Sequence, residues 1–204
     1  MIILEVDFLK SATGPDGYPP IGPREVAFCG RSNVGKSSCL NTLANRKQLA
    51  RVSGTPGRTR MINFFDLTVA EKTRSGGRGP ELKIRFADLP GYGFAKGPKS
   101  DREEWKKMIE RYLTERDAVA LKALVVLVDG ELGAQPSDLE MVRWAETLGR
   151  KVIVVATKLD RLPRTRRQAQ IDRIAGTLAV PHVLAFSAEE TFGVDELWKA
   201  LVTA

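Results

Sequence analysis

Gly30-Arg31-Ser32-Asn33-Val34-Gly35-Lys36-Ser37 is the stretch on which the reading of this chain turns. The apolar run Val26-Ala27-Phe28-Cys29 leads into it and reads as a short buried strand. Ser38-Cys39-Leu40-Asn41-Thr42-Leu43 follows with helical spacing and no breaker. Strand, glycine-bearing loop, Lys-Ser and helix together make the setting of a phosphate-binding loop. Successive backbone N–H groups converge there on phosphate oxygens, and the helix dipole adds positive potential. Gly30 and Gly35 permit the turn and the close approach. Lys36 is expected on the β- and γ-phosphates, and the Ser37 hydroxyl on Mg²⁺. The competing reading, an ordinary glycine-containing turn, loses ground as partner motifs accumulate downstream. The expected ligand is a nucleoside triphosphate.

A chain of 204 residues with 43% hydrophobic content suits one α/β domain with a substantial core. No apolar run approaches the ~20 residues of a membrane span. The start, Met1-Ile2-Ile3-Leu4-Glu5-Val6-Asp7, carries acids where an export signal would carry base. Val202-Thr203-Ala204 offers no cysteine for lipidation. Cys29 and Cys39 flank the phosphate loop and are expected to be buried thiols, not a disulfide. With His182 the only histidine, a Cys/His zinc site lacks ligands. These features fit a reducing cytoplasm; no membrane partner is expected, and the chain is expected to be a monomer. The net charge of +7 favours a polyanionic partner such as RNA, against the plainer reading of a solvated basic surface.

Residues 2–9 alternate weakly, as an edge strand or a short arm. Gly14 to Pro20 breaks regular structure, so residues 1–22 are taken as an arm and connection and 23–204 as the nucleotide-binding domain. From Lys47 to Met61 there is no periodicity, and Arg, Ser, Thr and Gly predominate. A segment in this place orders around γ-phosphate and metal in nucleotide switches, and the alternative is a plain linker. Its useful atom is a threonine hydroxyl, from Thr59 or from Thr55. Ile62–Val69 reads as a strand, Glu71–Pro80 as a hairpin connection and Leu82–Ala87 as its partner strand. That partner runs into Asp88-Leu89-Pro90-Gly91, 52 residues after Lys36. An Asp at a strand's carboxyl end beside the phosphate loop is placed to hold the Mg²⁺ shell, and Gly91 to offer its N–H to the γ-phosphate.

Tyr92–Ser100 reads as loop. Trp105, Met108, Ile109, Tyr112 and Leu113 then mark a helix face, read as core packing. Ala123–Val128 and Lys151–Ala156 are buried parallel strands around a helix over Pro136–Leu148, which Ser137 or Gln135 would cap. A later helix runs to Leu178, Val180–Phe186 is the last strand, and Val194, Leu197, Trp198 and Leu201 mark the last helix. Strands and helices alternate with no repeat and no second domain. The expected architecture is a mostly parallel six- or seven-stranded sheet with one antiparallel edge strand and helices on both faces.

Thr157-Lys158-Leu159-Asp160 closes a strand, and its chemistry suits guanine. A carboxylate accepts two hydrogen bonds, from N1–H and from the exocyclic amine. Adenine presents neither donor there, so an unpaired Asp160 would discriminate by a factor on the order of a thousand or more. Lys158 can lay its methylene stem along the base. Ser187-Ala188 after the last strand can present a backbone N–H to O6. Alone, Lys158 and Asp160 could be a surface ion pair. In series with the phosphate loop, the threonine loop and Asp-x-x-Gly, each at a strand's carboxyl end, they point to GTP over ATP.

In these residues the chain resembles the EngB family (also called YihA or YsxC) of bacterial ribosome-assembly GTPases, among the translation-factor-like P-loop GTPases. The resemblance runs nearly the whole length: Phe8 to Ala12, Glu25-Val26-Ala27-Phe28 with Gly30 to Ser38, Thr55-Pro56-Gly57-Arg58-Thr59, Asn63-Phe64-Phe65, Asp88-Leu89-Pro90-Gly91-Tyr92-Gly93, Thr157 to Asp160 and Phe186-Ser187-Ala188. It implies a GTP site drawing on those segments, and it favours Thr59 over Thr55 beside Ser37 and Asp88 on the metal. It also implies a role in assembling the large ribosomal subunit, with division and septation failing on loss. Arg60, Cys29 and Gly130-Glu131-Leu132 depart from the family pattern without touching the expected phosphate or base contacts. A different RNA-directed GTPase, acting for example in tRNA modification, would read guanine the same way.

Hydrolysis is expected to be in-line attack of water on the γ-phosphate, with Lys36, Thr59 and Gly91 about the transferred group. Tyr92 stands where a Ras-like enzyme has its water-orienting Gln, so unassisted turnover is expected near or below ~10⁻³ s⁻¹. The missing charge could come from the ribosomal particle. It could also come from K⁺ held by Asn33, as resemblance to cation-dependent GTPases implies; a turn-stabilising Asn33 is the alternative. Arg51, Arg58, Arg60, Lys96 and Lys99 would form a nucleotide-dependent basic surface for rRNA.

Overall fold

The computed structural model describes residues 1–49, 61–73, 76–92, 99–116 and 119–204. Seven strands form one sheet in the order β1-β3-β4-β2-β5-β6-β7. They are β1 (Ile2–Ala12), β2 (Arg24–Gly30), β3 (Ile62–Lys72), β4 (Arg78–Asp88), β5 (Leu121–Asp129), β6 (Val152–Thr157) and β7 (Val183–Ala185). The helices are α1 (Lys36–Leu43), α2 (Lys99–Glu115), α3 (Pro136–Thr147), α4 (Arg164–Leu178) and α5 (Val194–Val202). β2 pairs in parallel with β4 and β5, β5 with β6 and β6 with β7. β3 is antiparallel to both of its neighbours, β1 and β4, and β1, pairing along its outer side, is the strand at that edge of the sheet. The mostly parallel α/β architecture expected from the sequence is the one found.

The continuous apolar runs of β2 and β5 follow from burial on both faces, and the two-residue period divides their side chains between two cores. Ala27, Cys29, Leu124, Val126 and Val128 face α2, α3 and α4 through Ile109, Tyr112, Leu113, Met141, Val142, Ile174 and Leu178. Val26, Phe28, Val125 and Leu127 face α1 and α5 through Leu40, Leu43, Leu197, Trp198 and Leu201. The indole N–H of Trp198 donates to Leu43 O at 3.2 Å, satisfying a carbonyl that the end of α1 leaves open. Chain order reverses on either side of β2, so the crevice at its carboxyl end lies at the switch point of the sheet, where α/β proteins take their ligands.

Of the two readings of the first residues, the edge strand is the one realised. Phe8 packs edge-on against its cross-strand partner Phe65 at 5.6 Å. Register shifts at Leu4 and Leu9 put bulges into β1, which spoil its free edge as a template for further pairing. β7 is shorter than the apolar run Val180–Phe186: Pro181 has no N–H to give, and the ladder starts after it.

The connection before β2 is held by a buried ionic cluster that the hydropathy pattern does not reveal. Glu25 is fully buried and accepts from Arg116 Nε at 2.9 Å, Arg116 Nη2 at 2.7 Å and Tyr112 Oη at 2.6 Å. Arg116 also donates to Pro19 O, and Arg85 to Pro20 O and to both oxygens of Asp66. Burial, followed by the Glu25 carboxylate, pushes the Tyr112 hydroxyl well above its ordinary range and keeps it a donor. Replacing Arg116 by Met should cost about 3 kcal/mol in urea unfolding, because Glu25 stays buried without its fork. The double change Glu25→Leu with Arg116→Met should recover most of that. A single-variant loss below about 1 kcal/mol would show that this clamp contributes little to stability.

Candidate functional site

The loop between β2 and α1 holds the residues expected to carry phosphate. Gly35 caps α1 with φ of 98°, a left-handed conformation that a side chain would strain. Asn33, also left-handed at φ of 65°, turns the loop, in which the Val34 amide donates to Arg31 O at 3.1 Å. Val34 is buried and holds the loop to the core, so only its backbone can face a ligand. Lys36, Ser37 and Ser38 open α1, and the Ser38 carbonyl accepts from Thr42 Oγ1.

Across the crevice, β4 delivers Asp88 beside this loop. The Lys36 ammonium and the Asp88 carboxylate form an ion pair, both nearly buried. The segment after Asp88 then returns to the phosphate loop. Tyr92 N–H donates to Gly30 O and Ser32 N–H to Tyr92 O, each at 3.1 Å, a short parallel bridge beside Arg31. Gly91 therefore lies against Gly30 O and the Ser32 amide and hydroxyl. Leu89 is buried and bonds Phe28 O through its amide, while Pro90 O accepts from the Trp105 indole at 2.9 Å. The Tyr92 ring is buried beside Trp105, and its hydroxyl donates to Asp138 Oδ1 at 2.8 Å. Burial first, then the neighbouring Cys29 thiol and Asp138, push this hydroxyl far above its ordinary range. Burial likewise raises Asp138, against the bonds it receives from Gln135 N–H and Tyr92.

The third wall comes from β6 and the turn after it. Thr157 Oγ1 lies 2.6 Å from Val34 O and 3.1 Å from Val128 O, and its single proton serves the nearer carbonyl. Lys158, left-handed at φ of 56°, sends its ammonium to Asn33 O at 2.6 Å and Asp129 Oδ2 at 2.7 Å. Asp160 is half-buried, and its Oδ1 accepts from the fully buried Ser187 hydroxyl at 2.6 Å. The Ser187 N–H is given to Phe192 O. Leu159 and Phe186 are core side chains, and Ala188 packs at the core's margin.

The structure thus brings the phosphate loop, Asp88-Leu89-Pro90-Gly91, Thr157 to Asp160 and Phe186-Ser187-Ala188 to one end of the sheet. Gly57, Arg58 and Thr59, like Thr55, Arg51, Arg60, Gly93 and Lys96, lie outside the described residues. Three further participants escape hydropathy and motif reading. Asp129 closes β5 as Asp88 closes β4, so its position is a usable signal. Asp138 reads as an ordinary helix-start acid and Trp105 as a core aromatic, and neither local pattern announces a contact across the fold. Cys29 and Cys39 are free, buried thiols whose burial pushes their titration upward.

The oxygen donors at this end, Ser37 and Asp88, have the chemistry Mg²⁺ takes when phosphates complete its shell. Among the described residues no group of three or more His, Cys, Asp or Glu forms a metal cluster by itself. No helix among them is long and apolar enough to cross a membrane.

Comparison with known proteins agrees with this geometry. Residues 25–158 match the model of a family described as 50S ribosome-binding GTPase. A protein named "Probable GTP-binding protein EngB" from Myxococcus xanthus (strain DK1622) is 46% identical over 202 residues, 98% of this chain and 94% of its own. Its namesake from Anaeromyxobacter sp. (strain Fw109-5) is 44% identical over 99% of this chain and 92% of its own. The crystal structure of a probable GTP-binding protein engB superposes with a TM-score of 0.63 at 27% identity, over 88% of this chain and 96% of that one. The G domain of the T. maritima FeoB iron transporter, at 22% identity and a TM-score of 0.56, shares the fold, covering 89% of this chain and 98% of its own. With a phosphate loop and a Thr-Lys-x-Asp turn meeting at one sheet end, and with relatives of this closeness along its whole length, the chain belongs to the EngB family of GTP-binding proteins.

Proposed function

We propose that this protein is a nucleotide switch that binds GTP with Mg²⁺, hydrolyses it slowly and acts in the cytoplasm, as a monomer, on precursors of the large ribosomal subunit. Normal division and septation would depend on it through that assembly step. The observation that carries the reading is the pair of bonds joining Thr157 to Val34 and Lys158 to Asn33. They hold the base-reading turn and the phosphate loop at a fixed separation, as one extended ligand with a base at one end and phosphates at the other requires.

At the phosphate end, the backbone of Gly30, Arg31, Ser32, Asn33, Val34 and Gly35 and the Lys36 ammonium take the phosphates, with Ser38 adding its amide. Ser37, Thr59 and Asp88 hold the metal, which neutralises charge on the phosphates when bound. Gly57 and Arg58 are assigned to the nucleotide beside Thr59, and Leu89 and Pro90 lead to Gly91, whose N–H would meet the γ-phosphate. At the base end, Asp160, oriented by Ser187, accepts from guanine N1–H and the exocyclic amine. Since the Ser187 N–H already serves Phe192, the donor to O6 falls to Ala188. Leu159 and Phe186 support these groups from the core.

Slow turnover follows from Tyr92. Its ring is packed into the core and its hydroxyl is engaged by Asp138, so it cannot orient a water over the γ-phosphate. A partner's group or K⁺ at Asn33 supplies what is missing.

In calorimetry the purified chain should bind GTP and reject ATP by a factor on the order of a thousand, and Asp160→Asn should weaken GTP about a hundredfold. Equal affinity for the two nucleotides would sink the reading. Turnover in K⁺ should exceed that in Na⁺, and matching rates would remove the cation from the mechanism. Co-sedimentation with large-subunit precursors should be stronger with a GTP analogue than with GDP; binding indifferent to nucleotide would rule out the switch.

A further inference from the structure

We infer that Asp129 is a positioning residue for the guanine nucleotide, acting through Lys158; this rests on the GTP reading above. Asp129 ends β5 and is almost buried, at 9% exposure. Its Oδ1 accepts from the amides of Glu131 and Leu132 at 3.0 and 3.1 Å, which fixes the plane of the carboxylate. Its Oδ2 then meets the Lys158 ammonium at 2.7 Å. The turn carrying this carboxylate is itself locked to the base-reading strand. Gly130 N–H donates to Thr157 O at 2.8 Å, and a Cβ at position 130 would stand 2.5 Å from that oxygen. Only glycine lets the two turns lie this close.

Lys158 needs such a partner. A four-carbon ammonium side chain is mobile and strongly hydrated, and one neutral carbonyl, that of Asn33, holds it weakly. With Asp129 the ammonium sits in a charge-assisted, partly desolvated clamp, its side chain 22% exposed. The stem between that clamp and the backbone passes Gly35, where a Cβ would stand 3.9 Å from Lys158 Cε. This fixed stem is the wall against which the purine lies. Asp129 touches neither base nor phosphate; it sets the shape of a surface that does. Nearby, the ion pair of Arg161 with Glu131 is exposed and contributes little to this positioning.

Asp129→Asn keeps an oxygen for the two amides and removes the charge on Lys158. Affinity for GTP and for GDP should fall by the same factor, about tenfold, since the effect lies at the base end. In turnover the loss should fall on KM. In a Lys158→Met background the same change should cost less than about twofold, because the two residues act as one unit. Should Asp129→Asn fail to fold, Asp129→Glu, which shifts the charge by one methylene, carries the same expectation with a smaller loss. The proposal is overturned by unchanged affinity in a folded variant, by an equal loss in the Lys158→Met background, or by a loss confined to GTP. A wild-type chain that ignores GTP overturns the functional reading first; a wild type that binds GTP beside an unaffected Asp129→Asn overturns this inference alone.

Discussion

One hydroxyl proton, given by Thr157 to the carbonyl of Val34, fixes the distance on which the site depends. The phosphate loop and the base-reading turn lie 123 residues apart in sequence, each at the end of a different strand. Strand ends are free to fray, and neither turn touches the other through regular secondary structure. The Val34 side chain is sunk in the core on the α1 face, so its carbonyl is a rigid acceptor, and the Thr157 hydroxyl is buried with it. A hydrogen bond between two buried groups has no water to exchange with, and if the Thr157 proton turned to Val128 O instead, Val34 O would lose this donor. The two ends of the ligand site therefore hold their spacing before any ligand arrives, which reduces the ordering cost of binding.

Much of this is legible in the sequence, because the chemistry concerned is local. The phosphate loop, Asp88 and the Thr157 to Asp160 turn each combine a strand's end with residue types that act within a few positions of one another. A buried strand such as Ala123 to Val128 declares itself by unbroken apolar character, and α2 by its helical spacing. What stays hidden depends on pairs brought together by the fold. Glu25 reads as a polar residue before a strand, and nothing near it in sequence foretells Arg116, 91 residues later. Tyr92 reads as a residue lacking an amide, but not as one turned into the core, because Asp138 comes from another helix. The boundary of β7 differs from its apolar run for a simpler cause: apolar character extends over Pro181, while hydrogen bonding does not.

The same cross-fold pairs constrain how a phosphate can enter. Lys36 is bonded to Asp88, and the Ser32 amide to the Tyr92 carbonyl, so two of the site's donors already have partners within the chain. This is what electrostatics demands of a nearly buried cation: an unpaired Lys36 would carry an uncompensated desolvation cost, and an adjacent carboxylate removes it. A ligand's phosphates must compete for both donors. The competition is not neutral for the rest of the molecule, because Tyr92 is held at its other end by Asp138 and Pro90 by Trp105. Displacing the Tyr92 carbonyl from Ser32 therefore pulls against anchors on α2 and α3, not against a free loop. Gly91 thus lies between the phosphate loop and the Pro90 and Tyr92 contacts that reach those two helices, so the loop's chemistry and the helices' packing meet at this one residue.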